Sequence, residues 1–350
     1  MRVAVLSNIF KEHQNKEVED DLVQVGNAVK EALISFDHDV LFFDVNETTF
    51  EKLRKAKIDI AFNVCERFNG SSFFEPHVAA MLELLQIPYT GSGPLTLAMC
   101  MNKARVKEIL MHHEIPTPKF QVFYSKNKKL NPELRFPFIV KPTCMDNSVG
   151  ITNKAIVRNE KELRTRIAYV LRVYNQPVLV EEFIEGRELA VGVLGNNGNA
   201  QVLPIFEHAF PGEQKYNKIL NYDSKWNTES EAYHEISEIC PSPLPKYLEA
   251  KIRRICLDIH KILDVKDYGR VDIRLSPDGI PYVLEMNPNP GISVDCQIPI
   301  AAETIGLTYN EMLHEILKKA MERYGISMEQ KEESKKIVSE TKIPGVIQVR

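Results

Sequence analysis

The sequence predicts an α/β chain: a small parallel sheet at the N-terminus, followed by α+β sections. Three observations predict it. Apolar strand-like runs and helical spacings alternate over the first ninety residues. Glycine- and proline-rich breaks then divide the chain. Beyond them, two alternating segments flank a turn and predict an antiparallel hairpin.

In order, Val3–Leu6, Val40–Val45 and Ile58–Phe62 read as buried strands. Val18, Leu22, Val25, Val29 and Leu33 recur at helical spacing between the first two, and Phe74–Leu85 reads as a later helix. No GxGxxG follows the first strand, which argues against a dinucleotide-binding role. Ile87-Pro88-Tyr89-Thr90-Gly91-Ser92-Gly93-Pro94 breaks the pattern, placing a boundary near residue 95. One helix is expected from there to about His113, with His112-His113 in a capping or surface role. Ile115–Pro118 breaks again into strands at Phe120–Tyr124 and Phe136–Lys141, and an edge-like strand at Val178–Phe183. From about residue 186 a larger α+β section begins, with an amphipathic helix at Leu248–Leu263 that lines up Ile252, Ile255, Ile259 and Ile262. The expected domains are 1–95, 96–185 and 186–326, with a charged tail over 327–350.

The chain has 350 residues, 44% of them hydrophobic and 26% charged, as in an ordinary soluble globular protein. A net charge of −4 gives no support for a nucleic-acid or anionic-membrane partner. Val3-Ala4-Val5-Leu6 ends too soon for a signal-peptide core, and no run reaches the roughly 18–20 apolar residues of a membrane span. The six cysteines show no CxxC spacing and read as reduced thiols in a cytoplasm. The nine histidines show no HExxH pattern, which argues against zinc.

The chemistry concentrates in Gly269–Arg274 and Tyr282–Gly291, joined by the turn sequence Ser276-Pro277-Asp278-Gly279. A four-residue loop would set Arg270 opposite Glu285 and Asp272 opposite Val283. Arg270, Asp272, Glu285 and Asn287 would then share a face, unless a β-bulge intervened. Two carboxylates and an amide oxygen are hard donors suited to Mg²⁺, and the neighbouring arginine suits developing negative charge. Lys141 ends the apolar strand Phe136–Val140 and is placed to meet phosphate; Asn147, Ser148 and Gly150 offer donors just beyond it. Val178–Ile184 offers backbone to an adenine edge, and Glu188 is placed to accept from ribose hydroxyls. Lys225, in Asn221–Trp226, sits in a polar segment suited to a lid.

Together these segments resemble the ATP-grasp superfamily, and within it the D-alanine–D-alanine ligase family. The resemblance runs through Tyr89–Ser92, Asn102-Lys103, Phe138–Pro142, Ser148-Val149-Gly150, Val180-Glu181-Glu182-Phe183 and Glu188. It continues through Gly269–Asp272, Leu284–Asn287 and Pro290-Gly291, covering roughly residues 1–320. It implies a three-domain fold with ATP held between two α+β lobes. It also implies an ATP-dependent carboxylate–amine ligase working through an acyl phosphate, a homodimer, and amino-acid or peptide substrates. Lys103 and Lys141 would hold phosphates, and Glu181, Glu182, Phe183 and Leu284 would surround the base. Glu188 would take the ribose. Asp272, Glu285 and Asn287 would bind two Mg²⁺, with Mn²⁺ able to substitute. Arg270 and the Gly291 N–H would stabilise an oxyanion, and Lys225 would reach the γ-phosphate.

The departures fall on substrate recognition. Ser7-Asn8-Ile9-Phe10-Lys11 replaces the family's glycine-rich motif, leaving Glu19 or Asp20 as substitutes for its ammonium-binding carboxylate. Asn63–Phe68 and Asn69–Ser72 replace its His-Gly stretch, Trp226 stands at the lid tyrosine, and Cys296 stands at a substrate-carboxylate serine. The pattern therefore predicts a ligase with a different acyl donor or amine. The alternatives are an authentic D-alanine–D-alanine ligase and an ATP-binding protein without turnover; the complete set of Lys141, Arg270, Asp272, Glu285 and Asn287 argues against the last.

Overall fold

The computed structural model describes residues 1–8, 16–69, 71–145, 151–210, 219–220 and 236–327, and of residues 16–22 the backbone alone. The first sheet is parallel, in the order β2-β1-β3, from β1 (Arg2–Ser7), β2 (Asp39–Asp44) and β3 (Ile60–Asn63). Parallel neighbours need crossover helices, here α1 (Lys16–Ser35) and α2 (Thr49–Lys55). β1 is central and buried from Val3 to Leu6. β2 was expected to be buried but is an edge strand, and its side chains are only half covered.

Helix α3 (Glu75–Leu84) carries Pro76 in its first turn, where a missing N–H costs nothing. The single helix expected to reach His113 is two, α4 (Pro94–Met101) and α5 (Lys103–His112). Asn102 separates them: its backbone leaves the helical region, and its side chain caps α5 by accepting the Arg105 N–H. The break lets the Lys103 N–H bond the Thr143 carbonyl at 3.0 Å, tying the start of α5 to the loop after the next sheet's second strand.

That sheet is antiparallel, in the order β4-β7-β5-β6. It contains β4 (Phe120–Phe123), β5 (Phe138–Pro142), β6 (Ile156–Val157) and β7 (Val178–Glu182), with α6 (Glu160–Tyr174) packed on one face. β7 was expected at an edge. It is interior, paired with both β4 and β5, because Val178, Leu179 and Val180 are apolar on both faces and fully buried.

The largest sheet runs β11-β10-β8-β12-β13, with β9 also pairing β8. Its strands are β8 (Arg187–Leu194), β9 (Gln201–Val202), β10 (Phe206–Ala209), β11 (Ser237–Ile239), β12 (Tyr268–Leu275) and β13 (Pro281–Asn287). Helix α7 (Lys246–Ile262) covers it with Leu248, Ile252, Cys256 and Ile259, packed against Val191, Val271 and Ile273. Two helices follow, α8 (Gln297–Glu303) and α9 (Tyr309–Tyr324). α9 begins in a capping box of Thr308 and Glu311, and its Leu313, Ile316, Leu317 and Ala320 share one core with Val3, Val5, Val29 and Leu33. Buried Asp267, just before β12, receives the Gly91 N–H, the Asn196 amide and the Arg323 guanidinium, each at 2.8 Å. All six cysteines are free, and among the described residues no helix is long and apolar enough to cross a membrane.

Gly186, between β7 and β8, has φ +134°, and a Cβ there would stand 2.0 Å from the Leu275 carbonyl oxygen. Gly186→Ala should therefore cost about 3 kcal/mol in urea denaturation; an unchanged midpoint would show that the β7–β8 passage is not constrained. A second prediction concerns pH. His260 on α7 is 2% exposed, its Nε2 has no hydrogen-bond partner, and burial, with Lys266 nearby, lowers its pKa from 6.5 to about 4. The folded protein thus keeps it neutral where the unfolded chain protonates it. Its stabilising effect is complete above pH 6.5 and is lost as pH falls from there toward about 4. Between pH 7 and pH 5 this should amount to about 2 kcal/mol, and His260→Leu should flatten the loss by that amount.

Candidate active site

The catalytic candidates stand on the β12–β13 hairpin. Near the turn the pairs are Leu275–Pro281, Arg274–Tyr282 and Ile273–Val283; a bulge then sets Asp272 opposite Glu285 and Arg270 opposite Asn287. The register expected from the loop is wrong by one residue at the turn and by two beyond the bulge. A shift of two keeps every side chain on its face, so the four polar residues do gather. The extra residue is Leu284. Because of it two consecutive side chains, Leu284 and Glu285, line the same cleft, while Val283 and Met286 flank them in the core.

The cleft, about 890 Å³, lies between the four-stranded sheet and the largest sheet. Lys141 and Glu181 reach it from β5 and β7, Glu188 from β8, Arg270 and Asp272 from β12, and Leu284 and Glu285 from β13. Lys103, Glu182 and Phe183 line it as well. The structure thus gathers eight of the expected nucleotide-side and catalytic residues, together with the expected metal ligands Asp272 and Glu285, around one space. Ser148 and Lys225, with Trp226, lie outside the described residues, as do the side chains of Glu19 and Asp20.

Each lysine and arginine that lines the cleft has a carboxylate beside it. Arg270 grips Asp272 through two hydrogen bonds, Nε to Oδ1 at 2.7 Å and Nη2 to Oδ2 at 2.9 Å. Burial works against the Arg270 charge, but the adjacent Asp272 outweighs it and holds the guanidinium firmly protonated. The Asn287 amide donates to Asp272 Oδ2 at 2.9 Å, which leaves its oxygen as the atom able to ligate a cation. Lys103 Nζ lies 3.1 Å from Glu285 Oε2 and donates to the Met145 carbonyl at 2.8 Å. Two carboxylates and an amide oxygen, one of them already beside an ammonium, form an all-oxygen donor set that fits a hard divalent cation.

Glu181 is not presented as a free acceptor at the cleft edge. It is 1% exposed and stands between two lysines, Lys141 at 2.7 Å and Lys107 at 2.9 Å. Burial pushes the Glu181 carboxyl up, but the two lysines outweigh it and hold it below the ordinary carboxylate range. The backbone N–H groups of Glu182 and Phe183, expected to be open, already bond the Lys119 and Pro137 carbonyls. Lys107 is fully buried and bonds the Thr117 hydroxyl at 2.8 Å; sequence reasoning missed it because an i+4 lysine in an amphipathic helix reads as solvated surface. Arg274 was missed too, although it continues the alternation Arg270, Asp272, Arg274. It pairs with Glu188 at 3.0 Å and stacks 5.2 Å from the Phe183 ring, fixing both.

A second cavity, about 1320 Å³, adjoins the first, and Arg270 lines both. Asn287 and Gly291 line the second, together with Glu66, Arg67, Glu75 and Asn289. Cys296 precedes α8, its Sγ 3.5 Å from where a Cβ on Gly291 would stand.

The family model for the D-ala D-ala ligase C-terminus matches residues 109–318. A D-alanine–D-alanine ligase of Bordetella petrii is 32% identical over 297 residues, covering 84% of this chain and 86% of the relative. The corresponding protein of Bordetella parapertussis is 34% identical over 298 residues, covering 84% and 89%. The crystal structure of D-alanine–D-alanine ligase from Bacillus anthracis complexed with ATP matches with TM-score 0.73 at 26% identity, covering 92% of this chain and 98% of that chain.

Lys107→Met should lower the unfolding free energy by about 3 kcal/mol, because it removes one of two cations from a buried carboxylate. Adding Glu181→Gln should recover part of the loss in urea melts; a double variant no better than the single would locate the loss in packing.

Proposed function

The chain belongs to the D-alanine–D-alanine ligase-like family of ATP-grasp ligases, which form carbon–nitrogen bonds, and from that premise we infer its chemistry and its substrates. We propose that it joins a carboxylate to an amine at the expense of ATP, using amino-acid or peptide substrates other than a pair of D-alanines. The observation that carries this reading is the place of Arg270, on the wall shared by the cleft of paired lysines and carboxylates and a second, polar cavity.

In the proposed reaction a substrate carboxylate oxygen attacks the γ-phosphorus of ATP and ADP leaves. The amine then attacks the acyl carbon, loses a proton, and expels phosphate as the amide forms. Lys103 and Lys141 meet the phosphates, each turning from the carboxylate it now pairs with. Leu284 and Phe183 pack on the base, and Glu188, held by Arg274, meets the ribose. Asp272, Glu285 and Asn287 would hold Mg²⁺, which when bound supplies charge neutralisation at the phosphates. Arg270, with the Gly291 N–H, stabilises the oxyanion of the tetrahedral intermediate. Glu181 serves as counter-ion to Lys141 rather than as a base contact, and Lys107 keeps that carboxylate neutralised when Lys141 turns to phosphate. The different substrate is supported by the departures at Ser7–Lys11 and Asn63–Ser72, which replace the family's recognition motifs, and by the charged lining that Glu66, Arg67 and Glu75 give the second cavity.

The test is ADP and phosphate release from Mg-ATP with D- and L-amino acids, dipeptides and small carboxylates, with products followed by mass. One carboxylate–amine pair should support turnover and give a product lighter than the pair by one water. Fastest turnover on D-alanine alone would make this an authentic D-alanine–D-alanine ligase. Glu285→Ala should lower turnover by at least about 100-fold, since a metal ligand accounts for several kcal/mol of transition-state stabilisation; undiminished turnover would remove Glu285 from the metal site.

A further inference from the structure

Resting on the ligase reading above, we infer that Gln297 and His208 are positioning residues for Arg270: His208 fixes the Gln297 amide, and Gln297 fixes the end of the guanidinium that Asp272 leaves loose. All three side chains line the cleft and come from different elements, β12, the first turn of α8 and β10. The Gln297 oxygen accepts from Arg270 Nη1 at 3.3 Å, and its amide nitrogen lies 3.5 Å from His208 Nε2.

The chemistry of the groups fixes the direction of each bond in this line. A guanidinium has only donors, so the Gln297 oxygen must face Arg270 and its NH₂ must face His208. His208 Nε2 must then accept, which places the ring in its neutral form with the proton on Nδ1. Of the five N–H groups of Arg270, Nε and Nη2 each give one to Asp272, and Nη1 gives one to Gln297. One N–H remains on each terminal nitrogen, and that pair is what an oxyanion can meet. Asp272 is also one of the expected cation ligands, so its carboxylate has two claimants. Gln297 has no such second duty.

The seat of Gln297 is built into the sheet. Arg270 stands opposite Gly192 on β8, and a Cβ on Gly192 would lie 3.0 Å from both Ile298 Cγ1 and Leu203 Cδ1. The missing side chain lets buried Ile298 press onto β8, and it brings Gln297, one residue earlier, to the guanidinium. On β10 the His208 ring is buried, its centroid 4.9 Å from that of Phe206, which is buried as well. An amide set between a packed imidazole and a gripped guanidinium has little freedom to turn, which is what holds a catalytic geometry.

The test pairs turnover with a readout that needs none. With Mg-ATP and the carboxylate–amine pair that turns over fastest, Gln297→Leu, close to glutamine in shape, should lower kcat about 10-fold, the scale of one hydrogen bond to a charged group. KM for ATP should stay unchanged, because Arg270 meets the intermediate rather than the nucleotide. His208→Leu should lower kcat less, and the double variant should be no slower than Gln297→Leu, since the two residues act in series. Additive losses, or a raised KM with kcat unchanged, would overturn the positioning role. The second readout is nitrogen-15 NMR of the full chain labelled in histidine, with the His208 signals identified by their loss in His208→Leu. Native His208 should carry its proton on Nδ1 with Nε2 bare, and Gln297→Leu should lose that preference. A proton on Nε2 of native His208 would overturn the line. Together the readouts separate the two readings. Native turnover that Gln297→Leu leaves unchanged would keep the ligase and discard the positioning role, whereas the expected tautomer without turnover on any pair would keep the hydrogen-bonded line and discard the ligase.

Discussion

A β-strand shows only every second side chain to one face, and the β12–β13 hairpin breaks that rule once. The extra residue, Leu284, lets an apolar side chain and a carboxylate stand side by side on the cleft, and it brings Glu285 level with Asp272. Without the bulge, strict alternation would send Leu284 to the opposite face from Glu285. A floor for the flat face of a base and an oxygen for a cation then come from adjacent residues. The placement of Lys103 against Glu285 and of Asn287 against Asp272 follows from this register.

Around that hairpin, the protein manages charge by pairing rather than by exposure. Arg270 with Asp272, Lys103 with Glu285, Lys141 and Lys107 with Glu181, and Arg274 with Glu188 are all shielded pairs. Removing such charges from water is costly, and their mutual attraction offsets that cost only where geometry is good. The arrangement gives a resting state in which each cation that would meet an anionic ligand already has a partner to leave and return to. The Glu181 site differs, because two lysines share one carboxylate and only Lys141 faces the cleft.

Most of the architecture was legible because it is periodic. The parallel strands, the amphipathic helix α7 and the alternation through Arg270, Asp272, Glu285 and Asn287 each repeat a local pattern that the core imposes. What escaped has no local pattern. A bulge leaves no mark on composition, so the hairpin register was misplaced. An interior strand with a glutamate at its end resembles an edge, so β7 was misassigned until both of its partners were seen. Glu66, Arg67, Glu75 and Asn289 come from the segment after β3, the start of α3 and the segment after β13, and only the fold brings them to one wall. The sequence did mark the neighbourhood: Asn63–Ser72 departs from the family pattern, and that departure is where much of the second cavity's wall lies.

The shared core of β1 and α9 has a consequence for how the molecule comes into being. Val3 and Val5 leave the ribosome long before Leu313, Ile316, Leu317 and Ala320, the residues of α9 that cover them. At roughly 5–20 residues per second, the apolar face of the first sheet waits many seconds for its cover. During that interval the nascent chain must keep Val3, Val5, Val29 and Leu33 from foreign contacts by transient packing or by a chaperone. Biogenesis of this enzyme therefore depends on helix α9, and a chain shortened before Leu313 would leave β1 unsheltered.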